Sequence, residues 1–409
     1  MPAGTALYIA SVLGSGVLVL PGLAAAAAGP GSVLAVALII VLSIPLAATF
    51  AALAARYPDP GGVASYVRRT MGNTAARATG YWFYIGVALG IPVLMILGAE
   101  YTVAVLGLGG DLVPWLALAV FAVPFTVNWF GVEVAGWVQF VLTGLLLAVV
   151  VGVGSVAFPQ TDPRNFEPFL PHGFAGVGTA ISLFVWAFAG WEVGTHIAAE
   201  FKNPRRVIPL ATAIALVVVG VSYFALQVVT IGVLGADHEW GLVPLLDLVS
   251  AVAPGIGPWL VGAVALIVTT GVINAYLPAL GKLGAALGEK GDLPRWLAPG
   301  AAPGEIPRRA LAVTAVIALA YFALMVATGN RLDQFILFHT ANMVAIYAAG
   351  MIAAVLLLPR FSLGWWLAAI ATLMSGALLL LAGWYLVAPG ALAVAAVIVE
   401  LARRRGLRL

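Results

Sequence analysis

The sequence has no cysteine and very little charge. Of its 409 residues, only 9% are Asp, Glu, Lys or Arg. The absence of cysteine excludes disulfides, thiolate nucleophiles and cysteine-ligated metals. The charged fraction is far below the roughly 25% of soluble domains, which excludes a soluble globular fold. There is also no Gly-x-x-x-x-Gly-Lys phosphate loop and no acidic cluster suited to a metal, so neither a cofactor nor a bound metal is predicted.

Hydrophobic residues take the place of charge: they make up 63% of the chain. Apolar runs of about 20 residues recur, which is the length that crosses a bilayer. The first segment, MPAGTALYIA, has no Lys or Arg and is predicted to be a retained span rather than a cleaved signal peptide. The prediction is an all-α integral membrane protein with twelve transmembrane helices, near 4–28, 32–55, 79–107, 112–130, 135–157, 176–200, 208–235, 256–287, 309–328, 332–357, 362–382 and 384–402.

The basic residues predict how these spans are oriented. If the N-terminus is cytoplasmic, all but two of the 19 Lys and Arg residues fall in cytoplasmic loops or in the C-terminal tail. The two exceptions are Arg164 and Arg331. Because cytoplasmic loops are enriched in Lys and Arg, this distribution favours a multi-pass protein of the plasma membrane with both termini in the cytoplasm.

Two of the spans contain residues that interrupt helices. The first includes GSGVLVLPG, Gly14 to Gly22, and the sixth, ISLFVWAFAGWEVGTHIAAEFKNP, includes Ala189 and Gly190. The two broken spans are five positions apart, an odd number, so a second set of five would insert with the opposite polarity to the first. Inverted repeats whose first helices are broken are a transporter architecture, with the substrate bound at the breaks. Gly is also common in membrane helices as a packing residue, which is the simpler interpretation of each motif alone.

Three motifs resemble those of one transporter superfamily. They are GSGVLVLPG, the loop PDPGGVASYV at residues 58–67, and FAGWEVGTHIAAEFKNPRRVIPLA at residues 188–211. Together they resemble the amino acid–polyamine–organocation superfamily, and in particular short bacterial exporters of methionine and branched-chain amino acids. The resemblance covers essentially the whole chain. It implies a LeuT-type 5+5 inverted repeat, with spans 1–5 and 6–10 forming a core over residues 1–357. Residues 358–409 then add two helices and a basic cytoplasmic tail.

An amino acid substrate needs donors for its carboxylate and acceptors for its ammonium. The helix that starts after the first break would offer the backbone amides of Ser15, Gly16 and Val17, with Gly14 and Gly16 leaving room for the ligand. The family resemblance assigns the ammonium to carbonyls freed at the second break. The residues predicted there are Trp186, Ala187, Phe188, Ala189, Gly190 and Trp191, of which Trp186, Phe188 and Trp191 would line the side-chain pocket or simply pack between helices.

Glu192 is the strongest single candidate for a functional residue. A carboxyl group at membrane depth is costly to keep charged, which marks it as functional by default. The family resemblance links a carboxylate here to proton-dependent exchange, and His196, four residues on, would pair with it. The alternatives are that Glu192 only hydrogen-bonds the broken helix and that His196 only packs.

Further polar residues at membrane depth are weaker candidates, since such groups often only join neighbouring helices. They are Thr269, Thr270, Asn274, His339 and Asn342. Some proton-coupled relatives carry a lysine in span five, but residues 135–157 contain no Lys or Arg. A sodium site between spans one and eight, using Thr269 or Thr270, therefore stays open beside proton coupling.

The sequence thus predicts a secondary transporter of neutral amino acids that works by alternating access, as a proton-coupled exporter or antiporter. Its expected partners are the amino acid and the lipid bilayer, without nucleic acid, and it is expected to be a monomer or a homodimer. One alternative is an importer or exchanger of other amino acids or amines on the same fold. A membrane-embedded enzyme would need a catalytic constellation that the sequence lacks. A receptor is disfavoured because no soluble domain interrupts the spans.

Overall fold

The computed structural model describes residues 9, 12–57, 62–131, 136–192, 203–235, 238–302, 304–329 and 331–405. Within these residues the chain is helical and has no β-strand. The helices of the first half are α1 Gly16–Ala28, α2 Ser32–Arg56, α3 Gly62–Tyr81, α4 Ile91–Leu106, α5 Val113–Trp129 and α6 Gly136–Ala157. A π-helical turn, Trp82–Gly86, lies between α3 and α4.

The second half continues with eight helices in the described part of the chain. They are α7 Gly173–Ala187, α8 Pro204–Leu234, α9 Pro244–Val252, α10 Gly257–Glu289, α11 Arg308–Ala327, α12 Leu332–Leu357, α13 Leu363–Ala382 and α14 Val387–Arg404. Each predicted span contains one of these helices. Among the described residues, nine continuous stretches are long and apolar enough to cross a membrane, and three of them, such as Gly16–Arg56, join consecutive helices. This confirms an all-α protein with many membrane-spanning segments.

The start of the third span differs from the predicted one. Helix α3 runs through most of the polar stretch 56–78, but its backbone is not helical at Gly72, so the helix that leads into the third span begins just after Gly72 rather than near residue 79. That stretch forms an amphipathic helix with a kink at Gly72, where φ is +82°. In the sixth span the helix ends at Ala187, and the backbone is not helical from Phe188 to Glu192, where the break is predicted. The predicted end of this span, from residue 193 to 200, lies outside the described residues.

The packing joins helices from the two halves of the chain. Helix α1 packs on α7, α2 on α8, and α4 on α10. The two C-terminal helices lie against this assembly, α13 on α2 and α12, and α14 on α3. Four consecutive residues of α1, from Val17 to Leu20, are fully buried, so α1 lies at the centre of the protein.

A cluster of charged residues joins α3, the segment after α10, and α14. Arg77, only 2% exposed, donates from Nε to Asp292 Oδ1 at 2.8 Å and from Nη1 to Glu400 Oε2 at 3.0 Å. Arg68 and Arg403 also lie within 4 Å of the Asp292 carboxylate, at 3.7 and 3.6 Å. We call Arg68, Arg77, Asp292, Glu400 and Arg403 the charge cluster.

Candidate functional site

The first predicted break is present in the backbone. The Leu13 N–H donates to the Ile9 carbonyl at 2.7 Å, as in a helix, but residues 13–15 then leave helical geometry. Helix α1 starts anew at Gly16, and the Leu18 N–H donates to the Ser15 carbonyl at 3.0 Å. The first amides of a helix have no partner within it, so the start of α1 presents N–H groups in the centre of the protein.

The proline of the same motif also interrupts the hydrogen bonding of α1. Pro21 lies inside α1 and has no N–H, so the Val17 carbonyl one turn earlier has no helical donor from that position. Other helices hold the backbone around it: Tyr101 Oη donates to the Leu18 carbonyl at 2.6 Å, and Gln227 Nε2 donates to the Pro21 carbonyl at 3.2 Å. The short helix is thus fixed by side chains from α4 and α8.

The second break follows α7. The last helical bond runs from the Phe188 N–H to the Phe184 carbonyl at 3.0 Å. The Gly190 N–H then turns away from the Trp186 carbonyl and donates to Glu192 Oε2 and to Tyr347 Oη, both at 3.1 Å. Gly190 has φ of +125°, which favours glycine at this position. The turn therefore withdraws from Trp186 the donor that a continuous helix would supply.

The two breaks meet at Gly16. A Cβ atom on Gly16 would lie 3.1 Å from Ala187 Cβ and 2.6 Å from Tyr223 Oη, so only glycine allows α1, α7 and α8 to approach this closely. The Tyr223 side chain is fully buried, and its ring centroid lies 5.4 Å from that of Phe188. Its hydroxyl faces the Val17 N–H but makes no hydrogen bond within the described part of the chain.

Glu192 is buried against α12. Its side chain is 5% exposed, and Tyr347 Oη donates to Glu192 Oε2 at 2.9 Å. Phe50 of α2 packs edge-on against the Tyr347 ring at 5.6 Å, which holds the phenol in place. The predicted partner His196 lies outside the described residues.

His339 and Asn342 belong to a different contact, between α12 and the π-helical turn. The Gly86 carbonyl accepts a hydrogen bond from His339 Nδ1 at 2.8 Å, so this nitrogen carries the proton. A Cβ on Gly86 would lie 2.6 Å from Asn342 Cβ. π-helical turns free a backbone carbonyl and often occur at functional sites, but here the carbonyl has a partner. The structure thus places these two residues in helix packing.

The remaining candidates lie on α10. Thr269 Oγ1 donates to its own helix, to the Ala265 carbonyl at 2.8 Å, and faces Gly98 of α4. Thr270 Oγ1 likewise donates to the Leu266 carbonyl at 2.7 Å. Asn274 accepts a hydrogen bond from Asn128 Nδ2 of α5 at 2.9 Å. Thr269 and Thr270 thus bond to their own helix, Thr269 also faces α4, and Asn274 bonds to α5. None of these contacts involves α1.

The structure therefore brings together part of the predicted set. Ser15, Gly16, Val17, Ala187 and Phe188 surround the meeting point of the breaks, with Gly190 and Glu192 on its far side. Trp191 is buried there, and its indole N–H has no acceptor among the described residues, whereas Trp186 and Ala189 are half-buried. The sequence predictions missed Tyr223 and Tyr347. A tyrosine inside an apolar span is the signal that could have found them, since its buried hydroxyl requires a partner.

Comparisons with known proteins identify the family of the chain. Residues 3–363 match the amino acid permease family. The chain is 29% identical over 397 residues to the amino acid permease YecA of Bacillus subtilis (strain 168), covering 96% of this chain and 92% of that protein. It is 28% identical over 393 residues to the L-methionine/branched-chain amino acid exporter YjeH of Escherichia coli (strain K12), covering 93% and 90% of the two chains.

A third relative, the branched-chain amino acid permease BcaP of Bacillus subtilis (strain 168), is 28% identical over 263 residues, or 58% of this chain and 57% of that protein. The family match spans most of the chain, and it confirms the resemblance drawn from the motifs. These relatives are transporters and not enzymes. Because the family model matches residues 3–363, the chain belongs to the amino acid permease family.

Proposed function

We propose that this protein is a secondary transporter of neutral L-amino acids of the methionine and branched-chain type, which works by alternating access. The observation that carries the proposal is the meeting of the two breaks at Gly16 and Ala187, where only glycine fits. The substrate carboxylate binds the first amides of α1, at Ser15, Gly16 and Val17, because a helix N-terminus favours an anion.

The rest of the pocket follows from the second break. The ammonium group binds carbonyls near Trp186 and Ala187, because the Gly190 N–H is turned away from Trp186. Gly14, Ala189 and the Gly190 backbone complete the cavity, and Phe188 and Trp191 provide apolar walls for the side chain. Tyr223, whose unpartnered hydroxyl faces the start of α1, supplies a further donor for the carboxylate.

The fold we propose is the LeuT-type 5+5 inverted repeat with two extra C-terminal helices. A two-fold axis that exchanges spans 1–5 with spans 6–10 maps the pairs 1·6, 2·7 and 3·8 onto themselves. The observed contacts of α1 with α7, α2 with α8 and α4 with α10 are these three pairs, which supports the repeat. The basic residues favour cytoplasmic termini in a plasma-membrane protein, functioning as a monomer or a homodimer.

We propose a proton as the coupling ion, with Glu192 as its site and His196 as its relay. Glu192 is held by a phenol hydroxyl and a backbone amide, and both groups tolerate a neutral or a charged carboxyl because the phenol can donate or accept. The orientation of Thr269 and Thr270 toward their own helix gives less support to a sodium site between α1 and α10. Export or antiport is favoured over import by the likeness to YjeH.

The test is transport by the purified protein in proteoliposomes. Labelled methionine and leucine should exchange across the membrane, and an imposed pH gradient should drive their accumulation. Labelled arginine should do neither. Glu192→Gln keeps the size of the side chain but cannot titrate. It should retain exchange while the pH dependence flattens and gradient-driven accumulation is lost.

Two results would contradict these assignments separately. Failure of the parent protein to move any neutral amino acid would remove the transport proposal. An unchanged pH profile in Glu192→Gln would remove Glu192 as the proton site while leaving transport intact. Preferred movement of arginine or another amine would support the alternative substrate class on the same fold.

A further inference from the structure

A groove with two arginines lies where three helix ends meet. It is bounded by the end of α2, the start of α8 and the turn between α12 and α13, and it encloses about 760 Å³. Its walls include Ala55, Arg56, Tyr57, Arg205 and Pro359. We call it the arginine groove. It lies at the end of the helices that the basic residues assign to the cytoplasmic side, and it is separate from the breaks in α1 and α7.

The groove is preformed on one side. The Tyr57 hydroxyl donates to the Leu357 carbonyl at 3.0 Å, and Tyr66 Oη donates to the Tyr57 carbonyl at 2.9 Å. Tyr57 is thereby held between α2 and α12 and cannot fold into the space. Arg69 lies over the Tyr57 ring, 5.9 Å from its centroid.

The charge of the groove is not balanced by its described surroundings. Arg56 and Arg205 are exposed, and no carboxylate among the described residues lies within 4 Å of either guanidinium. Arg206 and Arg360 are also exposed close by in the sequence, while the nearby acidic residues Asp59 and Glu200 lie outside the described residues. An anion with several oxygens is the ligand that such arginines recognise.

The surface next to the groove is apolar and continues along α2. Leu38, Val41 and Ile44 are 39%, 56% and 46% exposed, and the same helix face continues through Ala48 and Ala52 to Arg56. Helix α2 packs on α8 and on α13, and we call its exposed apolar face beside these helices the α2 furrow. At the groove, α13 begins with exposed Leu363 and Trp366, as expected at a membrane interface.

We propose that the arginine groove binds the phosphate headgroup of an anionic phospholipid, whose acyl chains lie along the α2 furrow. A cationic pocket directly above an exposed apolar furrow matches both parts of such a lipid. Basic pockets between membrane helices bind anionic headgroups. A free phosphate ester would use the arginines but would leave the furrow without a role.

The test measures lipid retention by the full-length protein in detergent, using native mass spectrometry. The parent should retain dioleoyl-phosphatidylglycerol in preference to dioleoyl-phosphatidylcholine, which has the same acyl chains. The double variant Arg56→Gln/Arg205→Gln should bind phosphatidylglycerol about 30-fold more weakly, which corresponds to about 2 kcal/mol at 1.4 kcal/mol per tenfold change. Both arginines are exposed, so the variant should fold, as a thermal scan without lipid would verify.

Two further variants make the result specific. Arg295→Gln/Arg405→Gln removes the same charge from exposed positions at the same end and should retain the lipid as the parent does. Ala55→Phe fills the groove without changing any charge and should weaken binding. The proposal is overturned if the groove and control variants retain phosphatidylglycerol equally. It is also overturned if soluble glycerol 3-phosphate competes as well as the lipid does, because the ligand would then be a free phosphate ester.

Discussion

Two regions of this protein bury a carboxyl group, and they hold it in different ways. In the charge cluster, Asp292 is paired with the guanidinium of Arg77, and two more arginines lie nearby. In the break region, residues 13–17 and 187–192, Glu192 is held by the Tyr347 hydroxyl and the Gly190 N–H. An arginine stabilises only the charged carboxylate, whereas a phenol and an amide can hold the group in either protonation state.

The two regions are expected to have different roles, one in folding and the other in transport. The charge cluster joins three segments that are far apart in sequence. The loss of one partner would leave a buried charge unpaired, and its desolvation cost would no longer be offset. The break region interrupts two helices at the centre of the protein. It leaves the Trp191 indole N–H and the Tyr223 hydroxyl without partners among the described residues, which lowers stability but provides polar groups for a ligand. Mutations in the first region should therefore act on folding, and mutations in the second should act on transport.

The largest effect is expected in the charge cluster. Asp292→Asn removes one of the two carboxylates that pair with Arg77, which is only 2% exposed, and breaking a buried pair costs about 3–5 kcal/mol. The variant should unfold at a clearly lower temperature or denaturant concentration in detergent. Asp162→Asn is the control, because its partner Arg164 is 90% exposed and the unfolding midpoint should not change. Equal midpoints for the two variants would show that the cluster does not stabilise the fold.

A smaller effect, on transport, is expected at Gly16. Gly16→Ala places a methyl group 2.6 Å from Tyr223 Oη and 3.2 Å from Ala187 Cα, and such overpacking costs about 1–3 kcal/mol. Transport of methionine should fall about tenfold or more, since 1.4 kcal/mol is a factor of ten. Gly152→Ala adds the same methyl group to the exposed face of α6, where no described atom lies within 4 Å, and should transport normally.

The two glycine variants also test whether Gly16 lines the substrate pocket or only packs between helices. If Gly16 only packs, Gly16→Ala should lower the unfolding temperature as much as it lowers transport. If both variants transport at the rate of the parent, the meeting point of the breaks is not the substrate site.

The smallest effect is expected at Tyr347. Tyr347→Phe removes one hydroxyl from Glu192 and leaves the Gly190 N–H in place, so the cost should be about 1 kcal/mol, as for one hydrogen bond. Its effect should appear in the pH dependence of exchange and should vanish in a Glu192→Gln background, because Tyr347 acts through Glu192. Tyr321→Phe, which removes a hydroxyl bonded to the Phe335 carbonyl, should leave the pH profile unchanged. A pH shift that persists in the Glu192→Gln background would show that Tyr347 does not act through Glu192.

The local features of the site were readable from the sequence. Gly14-Ser15-Gly16 and Ala189-Gly190 marked both breaks, because glycine is unfavourable inside a helix and the structure interrupts the helices at these points. Glu192 was identified as buried because the surrounding run is apolar. His339 and Asn342 were also found to be buried, but their contact with the π-helical turn could not be foreseen, since nothing in a local pattern shows which helix a polar group faces.

By itself the sequence determined the helical class, the approximate spans and the positions of the two breaks, because apolar length and glycine content act over a few neighbouring residues. Only the tertiary structure decided the partners: Tyr223 at Gly16, Tyr347 at Glu192, and Asp292 at Arg77. Residues 77 and 292 are 215 positions apart, and Glu192 and Tyr347 are 155 apart. Such contacts depend on which helices pack together, and that choice is made by the shape and burial of the whole assembly rather than by any local pattern.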